Sequence, residues 1–180
     1  MSSASRAIEV TRTFLEMRAP QAFQPAFLDR DELILQGYQN CDLALYRWLY
    51  DQVGSRYYWY DRCDLGDERL RSLIWADNVT VWVLYEENSV AGFFELRRHA
   101  KDRSVELVYF GLRPGFCGRG LGKHLLSCAI AQAWQLPQTQ RLWVHTCTLD
   151  SPAALSNYQK RGFHCFREER AMQTLPKRRT

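Results

Sequence analysis

The chain has 180 residues, of which 46% are hydrophobic and 24% are charged. This is the composition of one globular domain that can bury a sizeable core. The net charge of +4 is mild, and much of the excess lies in the tail at Lys177, Arg178 and Arg179, so the charge balance indicates no nucleic-acid partner. The sequence has no apolar leader and no apolar run of 18 residues, so we expect neither secretion nor a membrane span, and a cytoplasmic location.

The cysteines indicate neither a disulfide framework nor a metal site. No two of them form a C-x-x-C pair, and none lies with a histidine at zinc-ligand spacing, so we expect free thiols in a reducing compartment and no metal. They are Cys41, Cys63, Cys117, Cys128, Cys147 and Cys165. Without a repeat or linker, we expect one domain over residues 1–180, with 1–7 and 176–180 frayed.

The first half of the chain begins with a strand and continues with helices. Alternating residues predict a strand over 8–17, which Pro20 ends, and an irregular segment follows to about residue 31. Helical spacing of apolar residues predicts a helix over 41–53, with Gly54 as its C-terminal stop. A second helix is predicted to begin near Asp67, a candidate N-cap residue.

The second half alternates strands and helices. Two strands joined by a hairpin loop are predicted first, at 79–85 and 90–96. A buried strand at 105–112, a helix at about 123–134 and a strand at 141–147 come next. Ser151 as N-cap and Pro152 at the first position open a helix that closes at Gly162, before a last strand over 163–171. This order predicts a mixed sheet with helices on its faces.

A glycine-rich connection lies between the buried strand and the helix that follows. Residues 113–115, Arg-Pro-Gly, stop the strand. Residues 118–122 contain three alternate glycines, which let backbone N–H groups converge at a helix N-terminus, where an anion is favoured. Arg119 and Lys123 add positive charge, so the connection predicts a phosphate or pyrophosphate site.

Two common phosphate loops do not fit this stretch. In the P-loop pattern Cys117 would replace the first glycine, and His124 would replace the Ser or Thr that holds magnesium. In the dinucleotide fingerprint the third glycine would fall on Lys123. Neither a P-loop nor a dinucleotide-binding loop is therefore expected.

The stretch instead resembles the acyl-CoA pyrophosphate loop of the GNAT superfamily of N-acetyltransferases, [QR]-x-x-G-x-[GA]. Gly120 and Gly122 match its two small positions, whereas Cys117 stands in place of Gln or Arg. About 40 residues later, the segment 154–163 resembles the closing signature of the same family, with a tyrosine, a basic residue, glycine and phenylalanine at fixed offsets. Ser151 replaces an asparagine that often contacts the pantetheine arm in the family.

The resemblance implies a fold, an activity and a cosubstrate. The fold would be a mixed, mostly antiparallel sheet with helices on both faces and a splayed strand pair that holds acyl-CoA. The activity would be transfer of an acyl group, most simply acetyl from acetyl-CoA, to a primary amine of a small molecule or peptide. The matched acyl-CoA-binding positions are Phe110, Leu112, Cys117, Gly118, Arg119, Gly120, Leu121, Gly122, Lys123, Ser151 and Ala154.

Three residues are candidates for the proton transfers. Tyr158 matches the general-acid tyrosine of the family, and its alternative role is that of an amphipathic core residue. Glu106, among apolar neighbours in the strand before the loop, is the first candidate for the base that deprotonates the amine; alternatively it pairs with Arg97 or Arg103. His145 on the following strand is the second candidate, and water is the third.

The acceptor site and the overall role are less specified. Residues 56–61, Arg-Tyr-Tyr-Trp-Tyr-Asp, could line a cleft for an amine with an apolar body or could pack in the core. No cysteine matches a nucleophile position, so direct transfer in a ternary complex is expected. Alternatives are a non-catalytic CoA-binding sensor or scaffold and a nucleic-acid-associated protein that uses the basic tail. A homodimer remains open.

Overall fold

A computed structural model describes residues 6–175 as a seven-stranded sheet with four helices. The strands are β1 (Arg6–Met17), β2 (Leu33–Tyr38), β3 (Val79–Glu86), β4 (Ser89–His99), β5 (Ser104–Leu112), β6 (Arg141–Cys147) and β7 (His164–Leu175). The helices are α1 (Leu43–Gly54), α2 (Asp67–Ile74), α3 (Leu121–Gln135) and α4 (Ala154–Lys160). The strand order is β2-β3-β4-β5-β6-β1-β7, and among the described strands only the β5–β6 pair is parallel.

The sheet separates two hydrophobic cores. Because successive strand residues point to opposite faces, Phe93 packs with α1 and α2 whereas Phe94 packs with α3 and α4. Helix α3 supplies a nearly continuous set of buried residues from Leu121 to Ala133. The predicted mixed sheet with helices on both faces is thus confirmed. Among the described residues, no helix combines the length and apolar character that crossing a membrane requires.

Strand β1 lies in the middle of one half of the sheet. It pairs antiparallel with β6 on one side and with β7 on the other, so Phe14 lies opposite both His145 and Arg167. The first strand of the chain therefore holds the last strand at the edge of the sheet. The sequence predicted both strands, but nothing in their local patterns indicated that they would be neighbours.

The parallel pair β5–β6 separates along its length. Pairing runs from Ser104 opposite Arg141 to Leu107 opposite Val144. Beyond that point β5 continues to Leu112 and β6 to Cys147 without further pairing between them in the described chain. This is the splayed pair that the resemblance implied, and it leaves a gap in the sheet.

Several predicted boundaries were wrong. Strand β2 was not predicted: no element was assigned between the irregular segment that ends near residue 31 and the helix over 41–53. Gly54 does not stop α1: it is the last helical residue, and the chain turns only at Tyr58, where φ is 59°. Gly54 serves a close approach instead, since a Cβ there would lie 2.5 Å from the Trp59 ring.

The predicted helix starts were also displaced. Gly66 is the N-cap residue of α2, and Asp67 is its first residue. Helix α4 starts at Ala154, three residues after Ser151, because residues 151–153 form a separate turn in which the Ala154 N–H donates to the Ser151 carbonyl at 2.8 Å. Residues 6 and 7, predicted to be frayed, belong to β1; the predictions for 1–5 and for 176–180 lie outside the described residues.

Candidate active site

A cavity of about 620 Å³ occupies the gap between β5 and β6. The part of β5 that has separated from β6, from Val108 to Leu112, forms one wall, and His145 and Cys147 of β6 form another. Residues of the glycine-rich connection, of α4 and of the 57–62 segment also line it. The gap thus brings the two sequence motifs and the aromatic segment to one place.

The glycine-rich connection enters the cavity as a tight turn. After β5 a short 3-10 helix spans Pro114–Phe116, and Gly118 and Gly120 then have φ angles of 78° and 79°, which favour glycine. Because Gly120 is the N-cap residue and has no side chain, the first N–H groups of α3 carry no side-chain cap. These donors and the helix dipole make this end of the cavity suitable for an anion.

The predicted acyl-CoA-binding residues divide into two groups. Those in the cavity wall are Phe110, Leu112, Cys117, Gly118, Gly122, Ser151 and Ala154. Those that the lining does not include are Arg119, Gly120, Leu121 and Lys123. Leu121 is buried in the core at 1% exposure, and Arg119 forms an ion pair with Glu86 at 2.7 Å. The cation of Arg119 is therefore already partnered by a carboxylate, which the sequence did not indicate.

Tyr158 stands on α4 at the cavity wall. The Asn157 side chain donates to the carbonyl of Gly122 at 3.3 Å, which ties α4 to the start of α3. The Tyr158 ring lies between Phe110 and Phe163, with centroids 6.1 and 5.8 Å away. Burial, and second the nearby carboxylate of Asp150, raise the pKa of the Tyr158 phenol. Tyr158 is thus both the packed residue of the alternative interpretation and a protonated O–H in the wall.

Asp150 is a wall residue that the sequence analysis missed. Its carboxylate accepts from the Thr146 hydroxyl at 2.7 Å and from the Cys147 N–H at 2.9 Å. These bonds fix the turn after β6 and hold a negative charge in the cavity wall near Tyr158. The only local signal was an aspartate in a polar turn, which is common in loops.

Glu106 lies in the cavity wall. The sequence predicted apolar neighbours for it, but it also has polar partners. One carboxylate oxygen, Oε2, is 3.0 Å from Nε2 of His99 and 3.9 Å from a guanidinium nitrogen of Arg97. The pairing with Arg97 that the sequence left open is therefore present together with the cavity position. The His99 partner was not foreseen.

His145 also lines the cavity, from β6. Its ring is exposed to solvent and packs against Phe14 of β1, with centroids 5.7 Å apart. The second base candidate is thus placed in the same cavity as the first.

A buried ion pair lies at the cavity wall. Arg62, 6% exposed, makes a two-point contact with Glu95, which is fully buried, at 2.6 and 3.0 Å. The Tyr46 hydroxyl donates to the same carboxylate at 2.8 Å, and the Arg62 guanidinium lies 4.6 Å from the centroid of the Tyr109 ring. Arg62 and Tyr109 are both in the wall. The signal in the sequence was a single carboxylate, Glu95, within an apolar strand.

Residues of the aromatic segment line the cavity, and one of them also packs in the core. Tyr57, Tyr58, Trp59 and Asp61 line the cavity. Trp59 also packs in the core, with its ring 5.0 Å from that of Tyr109. Among residues 6–175, no group of three or more His, Cys, Asp or Glu side chains is placed to hold a metal ion.

The family is decided by a comparison with known proteins. A model of the acetyltransferase (GNAT) family matches residues 43–163, well over half of the 180-residue chain. The chain belongs to the GNAT acetyltransferase family. The match includes both motifs on which the resemblance rested, and it leaves β1, β2 and the whole of β7 outside.

Curated relatives of this GNAT protein carry an acetyltransferase name. A mycothiol acetyltransferase of Streptomyces avermitilis is 32% identical over 102 residues, which are 56% of this chain and 31% of that protein. One from Streptomyces scabiei is 32% identical over 91 residues, 49% of this chain and 28% of that protein. The chain therefore spans about a third of the length of these relatives.

Solved structures share the GNAT fold over more of the chain. A GCN5-related N-acetyltransferase from Kribbella flavida aligns with a TM-score of 0.64 at 12% identity, over 95% of this chain and 60% of that one. An aminoglycoside acetyltransferase from an uncultured soil metagenomic sample, in complex with sisomicin, aligns with a TM-score of 0.59 at 16% identity, over 72% and 88%. At these identities the likeness concerns the fold.

Proposed function

We propose that this GNAT protein is an acyl-CoA-dependent N-acyltransferase that transfers acetyl from acetyl-CoA to a primary amine by direct attack in a ternary complex. The observation that carries the proposal is the convergence in one cavity of an anion-binding glycine turn, a protonated tyrosine and a carboxylate. The acetyltransferase name of the relatives favours acetyl as the acyl group. We further propose a single domain over residues 1–180, working in the cytoplasm.

The glycine turn and the unpaired edge of β5 would hold the acyl-CoA substrate. Backbone N–H groups at the start of α3 suit its pyrophosphate. The N–H groups of Phe110 and Leu112, on the part of β5 that has left β6, are available to polarise the thioester carbonyl. The wall residues Ser151 and Ala154 would border the pantetheine arm.

Glu106 would accept the proton of the amine, and Tyr158 would donate one to the leaving sulfur. An alkylammonium must lose a proton before it can attack, and a carboxylate in the wall provides the acceptor. The raised pKa of the Tyr158 phenol keeps it protonated at neutral pH, so it enters each cycle as a donor. His145 and water are the alternative bases in the same cavity.

The acceptor would enter past the aromatic segment. Tyr57, Tyr58 and Trp59 bring aromatic rings to the cavity wall, and Asp61 belongs to the same wall. This combination suits an amine with an apolar or ring-shaped body. The acceptor itself is identified only by this chemistry.

Thiol release from acetyl-CoA over a panel of primary amines tests the proposal, with Tyr158→Phe as the informative variant. The variant keeps the packing against Phe110 and Phe163 and loses only the hydroxyl. We expect unchanged acetyl-CoA affinity and a turnover lower by about 10²–10⁴-fold, the usual contribution of a positioned proton donor. Full turnover in Tyr158→Phe would remove its role as the acid.

The second candidate function is a CoA-binding sensor or scaffold without turnover. The ion pairing of Glu106 with Arg97 and His99 favours it, because both contacts are made to the carboxylate oxygen Oε2 and occupy it. Acetyl-CoA binding without transfer to any amine on the panel would support this function against the first.

A further inference from the structure

Glu106 lines the cavity, and His99, which is not among the lining residues, contacts its carboxylate. The two residues lie on neighbouring antiparallel strands, where Arg97 is opposite Glu106 and His99 is opposite Ser104. Arg97 and His99 are two residues apart on β4, so their side chains share a face of the sheet and both approach the Glu106 carboxylate. The shorter contact is the one from His99 Nε2 to Oε2, at 3.0 Å.

The partners of Glu106 differ in what they can change. Arg97 is a permanent cation, and it also lies 3.5 Å from Glu95, so its charge is shared between two carboxylates. The His99 side chain is 36% exposed, and it reaches water while it holds Glu106. A histidine is the side chain whose charge ordinarily changes between pH 5 and 8.

The surroundings of His99 come from three elements. The Glu106 carboxylate of β5 contacts both His99 and Arg97 of β4. The Trp143 ring of β6 lies beside the His99 ring, with centroids 6.1 Å apart. Asp102, in the turn before β5, is a second carboxylate that interacts electrostatically with His99. It accepts a hydrogen bond from the Ser104 hydroxyl. His99 therefore sits between two carboxylates and one shared cation, outside the cavity lining.

We propose that His99 is a positioning residue for Glu106, which rests on the proposed function. Neutral His99 donates its Nε2–H to Oε2 and leaves the other carboxylate oxygen to accept the proton of the substrate ammonium. The amine then attacks, and the accepted proton leaves Glu106 for water before the next cycle. A second proton on the imidazole would turn this hydrogen bond into an ion pair that holds the carboxylate, and transfer would slow.

Two variants of His99 separate the hydrogen bond from the charge. His99→Gln keeps an amide N–H that can reach Oε2 but cannot titrate, and His99→Leu removes both properties. His164→Gln is the matched control, because His164 pairs with Glu16 at 3.4 Å in the same kind of contact outside the cavity lining. For each variant, kcat at saturating amine would be measured from pH 5 to 9, together with KM for acetyl-CoA.

We expect His99→Leu to lower kcat about tenfold or more at every pH, the effect of losing one hydrogen bond to a charged group, with KM unchanged. His99→Gln should stay within about threefold of the parent at pH 8, and the acidic limb of its profile should move to lower pH. Chemical shifts of the ring nitrogens should place the His99 proton on Nε2 at pH 8, and they should lose that preference in Glu106→Gln.

The outcomes separate this inference from the function on which it rests. Absence of transfer by the parent to any amine would refute the proposed function. Transfer by the parent together with parental kcat in His99→Leu would refute the role of His99 alone, and so would an equal change of the profile in His164→Gln. A proton found on Nδ1 at pH 8 would overturn the hydrogen-bond assignment whether or not the protein is active.

Discussion

Replacing Glu95 with glutamine tests whether the buried ion pair holds the cavity wall at Arg62 and Tyr109 in place. Glu95 is fully buried, and its carboxylate has three partners, Arg62, Tyr46 and, more distantly, Arg97 at 3.5 Å. Although burial opposes the charged form, Glu95 raises the pKa of the Arg62 guanidinium. The substitution therefore leaves a buried cation without its anion.

The expected loss of stability is large. Removing one partner of a buried ion pair costs about 3–5 kcal/mol, because the remaining charge is uncompensated. For a chain of this length, each kcal/mol lowers Tm by about 2–4 °C, so a fall of about 10 °C is expected. Urea denaturation of the parent, Glu95→Gln, Arg62→Met and the double variant would give the free energies. The double variant should lose less than the sum of the two single variants, since the two residues contact each other.

An exposed ion pair on the same side of the sheet provides the control. Arg47 and Asp67 are 2.7 Å apart with side chains 35% and 68% exposed, so Asp67→Asn should cost at most about 1 kcal/mol. A loss below about 1 kcal/mol in Glu95→Gln, or additive single variants, would refute the argument that this buried pair braces the cavity.

Two further predictions concern residues 22–28, which contact His124 of α3 and Gly162 after α4. The His124 ring accepts from the Leu28 N–H at 3.0 Å, and burial, with a smaller contribution from Arg30, lowers its pKa. The unfolded chain therefore binds the proton first as pH falls below about 6.5. The free energy of unfolding, measured by urea denaturation, should fall from pH 7.5 to pH 5.5. It should fall less in His124→Asn, which has no imidazole to protonate. Gly162 has a φ of 104°, and a Cβ there would lie 2.0 Å from the Ala22 carbonyl oxygen, so Gly162→Ala should lose about 1–3 kcal/mol; an unchanged urea midpoint would contradict this.

The parts of the fold that depend on local pattern were predictable. The central strand, the glycine turn and the helix after it have a strong local signal, since apolar runs, proline and glycine act on neighbouring residues. Strand β2 was not found, because it is short and its Ile34 is 56% exposed, so it lacks a clean alternation. The resemblance supplied the splayed pair, which periodicity does not contain.

The partners of the site residues were less predictable, because they come from distant parts of the chain. Glu86 on β3 binds both Arg30 and Arg119, so a cation expected at the phosphate is directed elsewhere. Glu106 was predicted to contact Arg97 as one alternative, since hairpin strands place such residues opposite each other. That the neighbouring His99 takes the shorter contact depends on side-chain geometry that spacing alone does not give.

The central claim is that acetyl-CoA binds at the glycine turn between β5 and α3. Gly122→Asp tests it, because a Cβ there meets Leu112 at an ordinary 3.8 Å and an acidic residue in the first turn of a helix is favourable for folding. Gly115→Asp puts the same charge in the same connection, where a Cβ meets nothing within 4 Å and the residue is outside the cavity lining.

Calorimetric titration of acetyl-CoA into the parent and the two variants is the most direct measurement. We predict parental affinity for Gly115→Asp and a loss of about 100-fold for Gly122→Asp, which corresponds to about 3 kcal/mol of repulsion between the carboxylate and the pyrophosphate. Equal affinities for the parent and Gly122→Asp, with both proteins folded, would contradict the placement of acetyl-CoA in this cavity.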